Sequence, residues 1–176
     1  MSRIHPVQQL LDEHRLIEDI LNAFAGRLRG LPAAPFSGDW FHDALGFFRH
    51  FVEGCHHNRE EEIVFPQLRA AGLLEEHDAG AAYLDRLEGI LPSAWDGDFN
   101  AIDQFRRVGL AYVHFLREHI IREDELLHWV ASQPSTEKEI DRLQDAAEPE
   151  QYHHMDPTTY QKYLTVAIRL LASQAA

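Results

Sequence analysis

The chain has 176 residues, of which 45% are hydrophobic and 26% are charged; this composition is typical of one folded globular domain and excludes a disordered chain. Its formal net charge of −13 would repel phosphate backbones and anionic lipids, so nucleic acid and membrane surfaces are excluded as partners. The sequence has no apolar run of the roughly 20 residues that a membrane span needs and no signal-peptide pattern, so we expect a cytoplasmic protein. Its single cysteine, Cys55, excludes internal disulfides and metal sites built from several thiolates.

Apolar residues at helical spacing predict two helices in the first part of the chain. The first runs from about His5 to Gly30, with Pro6 at an early helical position that suits proline. After a loop rich in proline and glycine, Asp39 can cap a second helix, which Pro66 should kink or end.

Two further helices are predicted from the same spacing. The third runs from Leu73 to Leu91, and Pro92 should close it. The fourth, of about 30 residues, follows a turn-rich stretch and stops before Pro134. Since no segment of convincing length shows the alternation of a strand, the sequence predicts an all-α fold in which residues 1–133 form an antiparallel up-down four-helix bundle.

Residues 134–176 are predicted to form a helical appendage to this bundle. Ser135-Thr136 can cap a short helix, and Asp156-Pro157 can start a last one. We expect the appendage to pack on the bundle or on another subunit, and the second arrangement would make the protein a homodimer.

The body of the chain repeats itself at an interval of 63 residues. Glu13-His14 aligns with Glu76-His77, and His56-x-x-Arg59-Glu60 aligns with His119-x-x-Arg122-Glu123. In both copies, 42 residues separate the first histidine from the second. The bundle is therefore interpreted as one helix pair used twice.

The repeat selects six side chains that share the apolar face of their helices. They are His14, His56, Glu60, His77, His119 and Glu123. A carboxylate that faces a helical core without a partner is strongly destabilising or takes up a proton, so two such residues require a counter-charge. Metal ions supply it, and a mixture of imidazole and carboxylate ligands suits iron or manganese, and less distinctly zinc.

Neighbouring polar residues are left outside this set. His57 aligns with Ile120 in the repeat, so we expect it to be solvated, although by rotating toward the layer it would supply a fifth nitrogen ligand. Glu18 and Asp78 could add oxygen ligands and are also expected to be solvated. The remaining histidines are expected at the surface or outside the ligand layer: His5, His42, His50, His114, His128, His153 and His154.

A ferritin-like di-iron site is an alternative interpretation of one motif. Glu53-x-x-His56 matches the Glu-x-x-His element of such sites. Leu116 stands at the equivalent of Glu53 in the repeat, so the motif occurs once where a ferritin-like site needs it twice.

The sequence resembles the hemerythrin-like, or HHE cation-binding, proteins over about residues 7 to 130. The motifs that carry the resemblance are Glu13-His14, the run His56-His57-Asn58-Arg59-Glu60-Glu61-Glu62-Ile63-Val64-Phe65-Pro66, Glu76-His77-Asp78 and His119-Ile120-Ile121-Arg122-Glu123-Asp124. The resemblance implies a pair of iron ions, with manganese and zinc as alternatives. It implies that His14 and His56 hold one ion. It implies that His77 and His119 hold the other, and that Glu60 and Glu123 bridge the two.

Oxygen-carrying hemerythrins have a fifth histidine, one helical turn from the third-helix ligand, where this sequence has Leu73 and Ala81. Two histidines, two carboxylate oxygens and one solvent bridge would leave each ion with about five ligands, so both ions would be open. We also expect carboxylates such as Glu13 and Glu76 to accept hydrogen bonds from the outer histidine nitrogens.

Three functions follow from this interpretation. The first is a non-haem di-iron protein that binds or senses dioxygen or a related small oxidant at a dry pocket lined by Phe48, Val52, Leu84 and Leu116. The second is an enzyme on the same site that acts on peroxide, nitric oxide or ferrous iron. The third is an interaction protein in which the C-terminal appendage matters most and the metal site is vestigial, which full folding and stability after metal removal would favour.

Overall fold

The computed structural model describes residues 6–61, 72–132 and 157–173, and all regular structure in these ranges is helical. Helix α1 spans Pro6–Gly30, and α2 spans Gly38–Phe47 and continues without a break into a π-helical segment, Phe48–His57. Helices α3, α4 and α5 span Leu73–Trp95, Phe99–Ser132 and Pro157–Ala172. The predicted all-α bundle with an additional C-terminal helix is confirmed. None of the described helices is long and apolar enough to cross a lipid bilayer.

The third helix does not end where the sequence predicted. Instead of closing at Pro92, α3 continues to Trp95, and the N–H of Asp96 donates to the carbonyl of Pro92 at 3.0 Å. A proline in the last turn removes only one hydrogen bond, so the helix can finish that turn. The predicted kink at Pro66 and the predicted short helix after Ser135 lie outside the described residues.

The π-helical segment is the main departure from the expected helix geometry. Its backbone hydrogen bonds join residues five apart instead of four, a rare arrangement that is often found at functional sites. Residues four and five apart therefore share a face. The buried residues of the segment follow this spacing: Phe48, Phe51, Val52, Cys55, His56 and His57.

An aromatic layer fills the bundle beside the C-terminal half of α1. The ring of Phe24 makes edge-to-face contacts with Phe41, Phe48 and Phe105 at centroid distances of 5.7, 5.5 and 6.3 Å. Phe24 lies about 15 Å along α1 from His14, at 1.5 Å per residue. The apolar layer and the histidine level are thus separate parts of one core.

Helix α5 packs across α1 and α2. It buries an apolar face made of Tyr163, Val166, Ala167 and Leu170. At its C-terminal end the indole N–H of Trp40 donates to Ser173 Oγ at 2.9 Å. The predicted last helix is confirmed and lies on the bundle of its own chain, whereas the division between residues 133 and 134 stays a prediction.

Gly109 allows α4 to pack closely on α1. A Cβ at this position would lie 2.7 Å from Leu28 Cδ1 and 3.2 Å from Phe24 Cε1, and both of these side chains are fully buried. We expect Gly109→Ala to lower the free energy of unfolding by about 1–2 kcal/mol, because overpacking outweighs the gain in helix propensity. Urea unfolding followed by circular dichroism measures the change.

Gly26→Ala is the matched control, because a Cβ there would meet nothing within 4 Å. This variant should be more stable by about 0.5–1 kcal/mol. Equal stabilisation of both variants would show that the contact between α1 and α4 is not tight at Gly109.

Candidate metal centre

The six side chains that the repeat selects meet at one level of the bundle. His14 comes from α1, His56 from the π-helical segment, Glu60 from the helical turn after it, His77 from α3, and His119 and Glu123 from α4. None of them is more than 5% exposed. The structure therefore brings the whole predicted set together.

Glu60 lies between the two histidine pairs. Its Oε1 atom is 3.4 Å from Nε2 of His14 and 3.6 Å from Nε2 of His56. Its Oε2 atom is 3.9 Å from Nε2 of His77. The two oxygens of this carboxylate thus face different histidine pairs.

Glu123 has the same arrangement from the opposite side. Its Oε2 atom is 3.5 Å from Nε2 of His14. Its Oε1 atom is 3.3 Å from Nε2 of His77 and 3.0 Å from Nε2 of His119. Both carboxylates therefore present one oxygen to each histidine pair.

The structure adds a fifth histidine to this level. His57 is 3% exposed, and its ring stacks on that of His77 at a centroid distance of 3.7 Å. His57, His77 and His119 present nitrogen atoms within 4.8 Å of one another. A second group of that kind consists of His14, His56, Glu60 and Glu123. The expectation that His57 is solvated is wrong.

The sequence placed His57 outside the site because the repeat aligns it with Ile120, a residue that cannot bind a metal ion. Ile120 is itself 4% exposed, so the position after the ligand histidine faces the interior in both halves of the repeat. The signal available in the sequence was Glu53, four residues earlier. Its Oε2 atom lies 3.4 Å from Nδ1 of His57, on the outer side of the ring. Glu53 therefore belongs to neither ligand group, unlike the glutamate of a ferritin-like motif.

Every histidine of the level turns its Nδ1 atom outward to a carboxylate. The pairs and their N···O distances are His14–Asp124, 2.7 Å; His56–Glu13, 3.0 Å; His57–Glu53, 3.4 Å; His77–Glu61, 2.7 Å; and His119–Glu76, 2.8 Å. When Nδ1–H donates to the carboxylate, Nε2 faces the centre, where it can bind a cation or hold a proton. The predicted acceptors Glu13 and Glu76 are confirmed.

Four of these carboxylates form a closed circuit that we call the carboxylate ring: Glu13, Glu61, Glu76 and Asp124. Each lies on the helical element next to the one that carries its histidine partner. Helix α1 supplies Glu13 to the π-helical segment, and the turn after that segment supplies Glu61 to α3. Helix α3 supplies Glu76 to α4, and α4 supplies Asp124 to α1. Glu13 and Glu76 are equivalent in the repeat, as are Glu61 and Asp124, so the repeat extends to the outer partners.

The inner atoms of the level fit a metal site. Buried atoms without a hydrogen-bond partner include Nε2 of His14, His56 and His119, both oxygens of Glu60 and Oε2 of Glu123. An unpaired buried polar atom costs about 1–3 kcal/mol, so several together require a ligand. Imidazole nitrogens and carboxylate oxygens are suitable ligands for iron, manganese or zinc ions.

Protons and metal ions would compete for this level. Burial and the charge of Glu123 raise the pKa of Glu60 to about 8. Burial disfavours the charged form of His14, but its hydrogen bond to Asp124 and the nearby carboxylates of Glu123 and Glu60 raise its pKa well above the usual range. Burial and the charge of His14 lower the pKa of His56 to about 3. Glu60 and His14 therefore hold protons near neutral pH, which bound metal ions would displace.

The other polar residues considered from the sequence lie outside the level. His42, His50, His114 and His128 are exposed, as expected, whereas His5, His153 and His154 lie outside the described residues. Glu18 is partly exposed and pairs with Arg117 at 3.4 Å, and Asp78 is exposed.

Comparison with known proteins identifies the family. The family model described as the hemerythrin HHE cation binding domain matches residues 5–130. Uncharacterized proteins of Mycobacterium tuberculosis and Mycobacterium bovis are 28% identical over 129 residues, 68% of this chain and 51% of theirs, so the chain spans about half the length of these curated relatives. No solved structure gives a significant match. Because the family model covers most of the sequence and the buried histidines and glutamates converge within it, the chain belongs to the hemerythrin HHE cation-binding family.

Proposed function

We propose that this chain is a non-haem di-iron protein that binds or senses dioxygen or a related small oxidant, with Glu60 and Glu123 bridging the two ions. The observation that carries the proposal is the position of these carboxylates. Each has one oxygen near Nε2 of His14 and the other near Nε2 of His77. Carboxylates in such a position can hold two ions together, and bound iron would supply the redox chemistry that a small oxidant needs.

The two ions would have unequal numbers of protein ligands. His57, His77 and His119 offer three nitrogens on one side, whereas His14 and His56 offer two on the other. We propose that the small molecule binds on the side of His14 and His56, where fewer protein atoms surround the ion. The proposal differs in this respect from the expectation that both ions are open.

The surroundings favour an uncharged small molecule. The four side chains predicted to line the pocket are fully buried: Phe48, Val52, Leu84 and Leu116. Val52 and Leu116 come one helical turn before His56 and His119. Apolar side chains next to a buried polar level exclude water and disfavour charged ligands.

The donor atoms favour binding or sensing over iron oxidation. Ferritin-like di-iron sites use four glutamates and two histidines, whereas this level gathers five histidines and two glutamates. Rapid turnover of peroxide by the iron-loaded protein would instead assign an enzymatic activity to the same site.

Loading the protein anaerobically with ferrous iron should give about two ions per chain. Glu60→Ala and Glu123→Ala should each lose the pair, because removal of one bridge leaves too few ligands to hold both ions. Elemental analysis after desalting and the ultraviolet-visible spectrum under air measure the loss. Glu125→Ala, an exposed position on the same helix as Glu123, is the control. Two retained ions in either bridging variant would reject the bridging role.

His57→Ala tests the fifth histidine. This variant should bind one ion like the wild type and the other at least about tenfold more weakly, since even a change in an outer partner of a ligand costs that much. His42→Ala removes an exposed imidazole and should change neither affinity. Titration with ferrous iron against a competing chelator measures both constants, and two wild-type affinities in His57→Ala would exclude His57 as a ligand.

The metal-free protein should lose stability as the pH rises from 6.5 through about 8. Because the pKa of Glu60 is raised from its usual value of 4.5 to about 8, its proton stabilises the folded protein. This stabilisation is complete below pH 4.5 and is lost as the pH rises to about 8. His14, also raised, acts in the same direction, whereas the lowered pKa of His56 contributes stability that is already complete above 6.5. Each proton lost costs up to about 1.4 kcal/mol per pH unit.

Thermal unfolding at several pH values, with and without bound iron, measures this dependence. Bound metal should reduce it, because the ions displace the protons in question. Glu60→Gln should reduce it in the metal-free protein. A metal-free wild type that is more stable at pH 8 than at pH 6.5 would contradict the assignment.

A further inference from the structure

Helix α5 lies outside the residues that the family model matches, and its N-terminal end lies beside the outer carboxylates of the metal centre. The hydroxyl of Tyr160, in its first turns, donates to Oε1 of Glu13 at 3.0 Å. The other oxygen of Glu13 accepts from Nδ1 of His56, also at 3.0 Å. Two consecutive hydrogen bonds therefore join α5 to a candidate metal ligand.

The surroundings of Glu13 are closed by the same contact. Arg59 donates to Glu13 and lies under the ring of Tyr160, 5.5 Å from its centroid. The ring of Phe51 stacks on the ring of Tyr160 at a centroid distance of 5.4 Å. The side chains of Glu13 and Arg59 are only 5% and 3% exposed. A carboxylate held in this way has one orientation in which to receive the histidine proton.

The repeat provides an internal comparison. Glu76 accepts from His119 and from Arg122, each at 2.8 Å, as Glu13 accepts from His56 and Arg59. The side chains of Glu76 and Arg122 are 28% and 44% exposed. In the described part of the chain, equivalent partners are thus covered on the Glu13 side by α5 and partly open to solvent on the other.

The position of α5 is fixed by contacts that do not involve the metal centre. Its buried face packs on the bundle, Arg169 pairs with Asp43 at 2.6 Å, and Ser173 accepts from Trp40. These contacts hold α5 on the bundle without using any metal ligand. The hydrogen bond from Tyr160 to Glu13 adds to them and connects α5 to the metal centre.

We infer that Tyr160 is a positioning residue of the proposed metal centre: it holds Glu13, which orients His56, so that docking of α5 and binding of the ion beside His14 and His56 stabilise each other. This inference rests on the proposed function. A carboxylate on the outer nitrogen fixes the direction of the imidazole and makes its inner nitrogen a better ligand. Because coupling between two binding events is reciprocal, the ion must stabilise α5 by the same factor by which α5 strengthens the ion.

Tyr160 would affect only one of the two ions, the one beside His14 and His56. This is the ion to which we propose that the small molecule binds. A segment outside the family match would then set the affinity of the reactive ion and leave the ion beside His77 and His119 unchanged.

Tyr160→Phe removes the hydroxyl and keeps the ring that packs on Phe51 and Arg59. It should weaken binding of one of the two ferrous ions by up to about tenfold and leave the other unchanged, because loss of a direct outer partner costs about 10–100-fold and Tyr160 acts through such a partner, Glu13. Competition with a chelator measures both affinities. The matched control is Tyr163→Phe, one turn along α5, where the ring stacks on His50 at 5.0 Å and does not contact Glu13. The control should bind both ions like the wild type.

Hydrogen exchange of α5 provides a second measurement that does not depend on affinity. In the wild type and in Tyr163→Phe, iron should slow exchange of the α5 amides, and in Tyr160→Phe this effect should shrink by the factor lost in affinity. Two wild-type affinities in Tyr160→Phe, or exchange in the wild type that does not respond to iron, would overturn the inference while leaving the di-iron proposal intact. A wild type that binds no iron would overturn both.

Discussion

Two carboxylates buried side by side among five imidazoles are the constraint on which the rest of the structure depends. In water, these seven groups are hydrated and their proximity costs little free energy. Inside a helical bundle their inner atoms have lost this hydration and face one another at 3.0–3.9 Å. Protons or metal ions at the centre make this arrangement tolerable. The aromatic layer, the π-helical segment and the carboxylate ring can all be understood as the means of building and holding that level.

The outer carboxylates give the centre its rigidity and place negative charge around it. Each histidine of the level is held by an acidic partner, and among the described residues arginines pair with two of these five carboxylates: Arg59 with Glu13 and Arg122 with Glu76. The net charge of −13 is thus partly a property of the site. Negative charge concentrated around a buried level favours the entry of cations, in agreement with the family to which the chain belongs.

The sequence predicted the parts of the site that follow from helical spacing. The repeat fixed six residues and two outer partners because an α-helix places residues four apart on one face. It did not select His57, because the aligned residue of the second half is Ile120, which is buried but offers no ligand atom. Tyr160 was equally out of reach, since it meets Glu13 across 147 residues and has no equivalent in the repeat.

The carboxylate ring has a consequence for the origin of the fold. Each helix gives one acidic side chain to the next helix and receives one from the helix before, so the circuit closes without reference to the order of the chain. Two copies of a single helix hairpin, each carrying Glu-His on one helix and His-x-x-Arg-Glu followed by an acidic residue on the other, would complete the same circuit around a twofold axis. The carboxylate ring of the present bundle matches that of such a symmetric pair joined into one polypeptide, and in a single polypeptide the two halves can differ, as they do at His57 and Ile120.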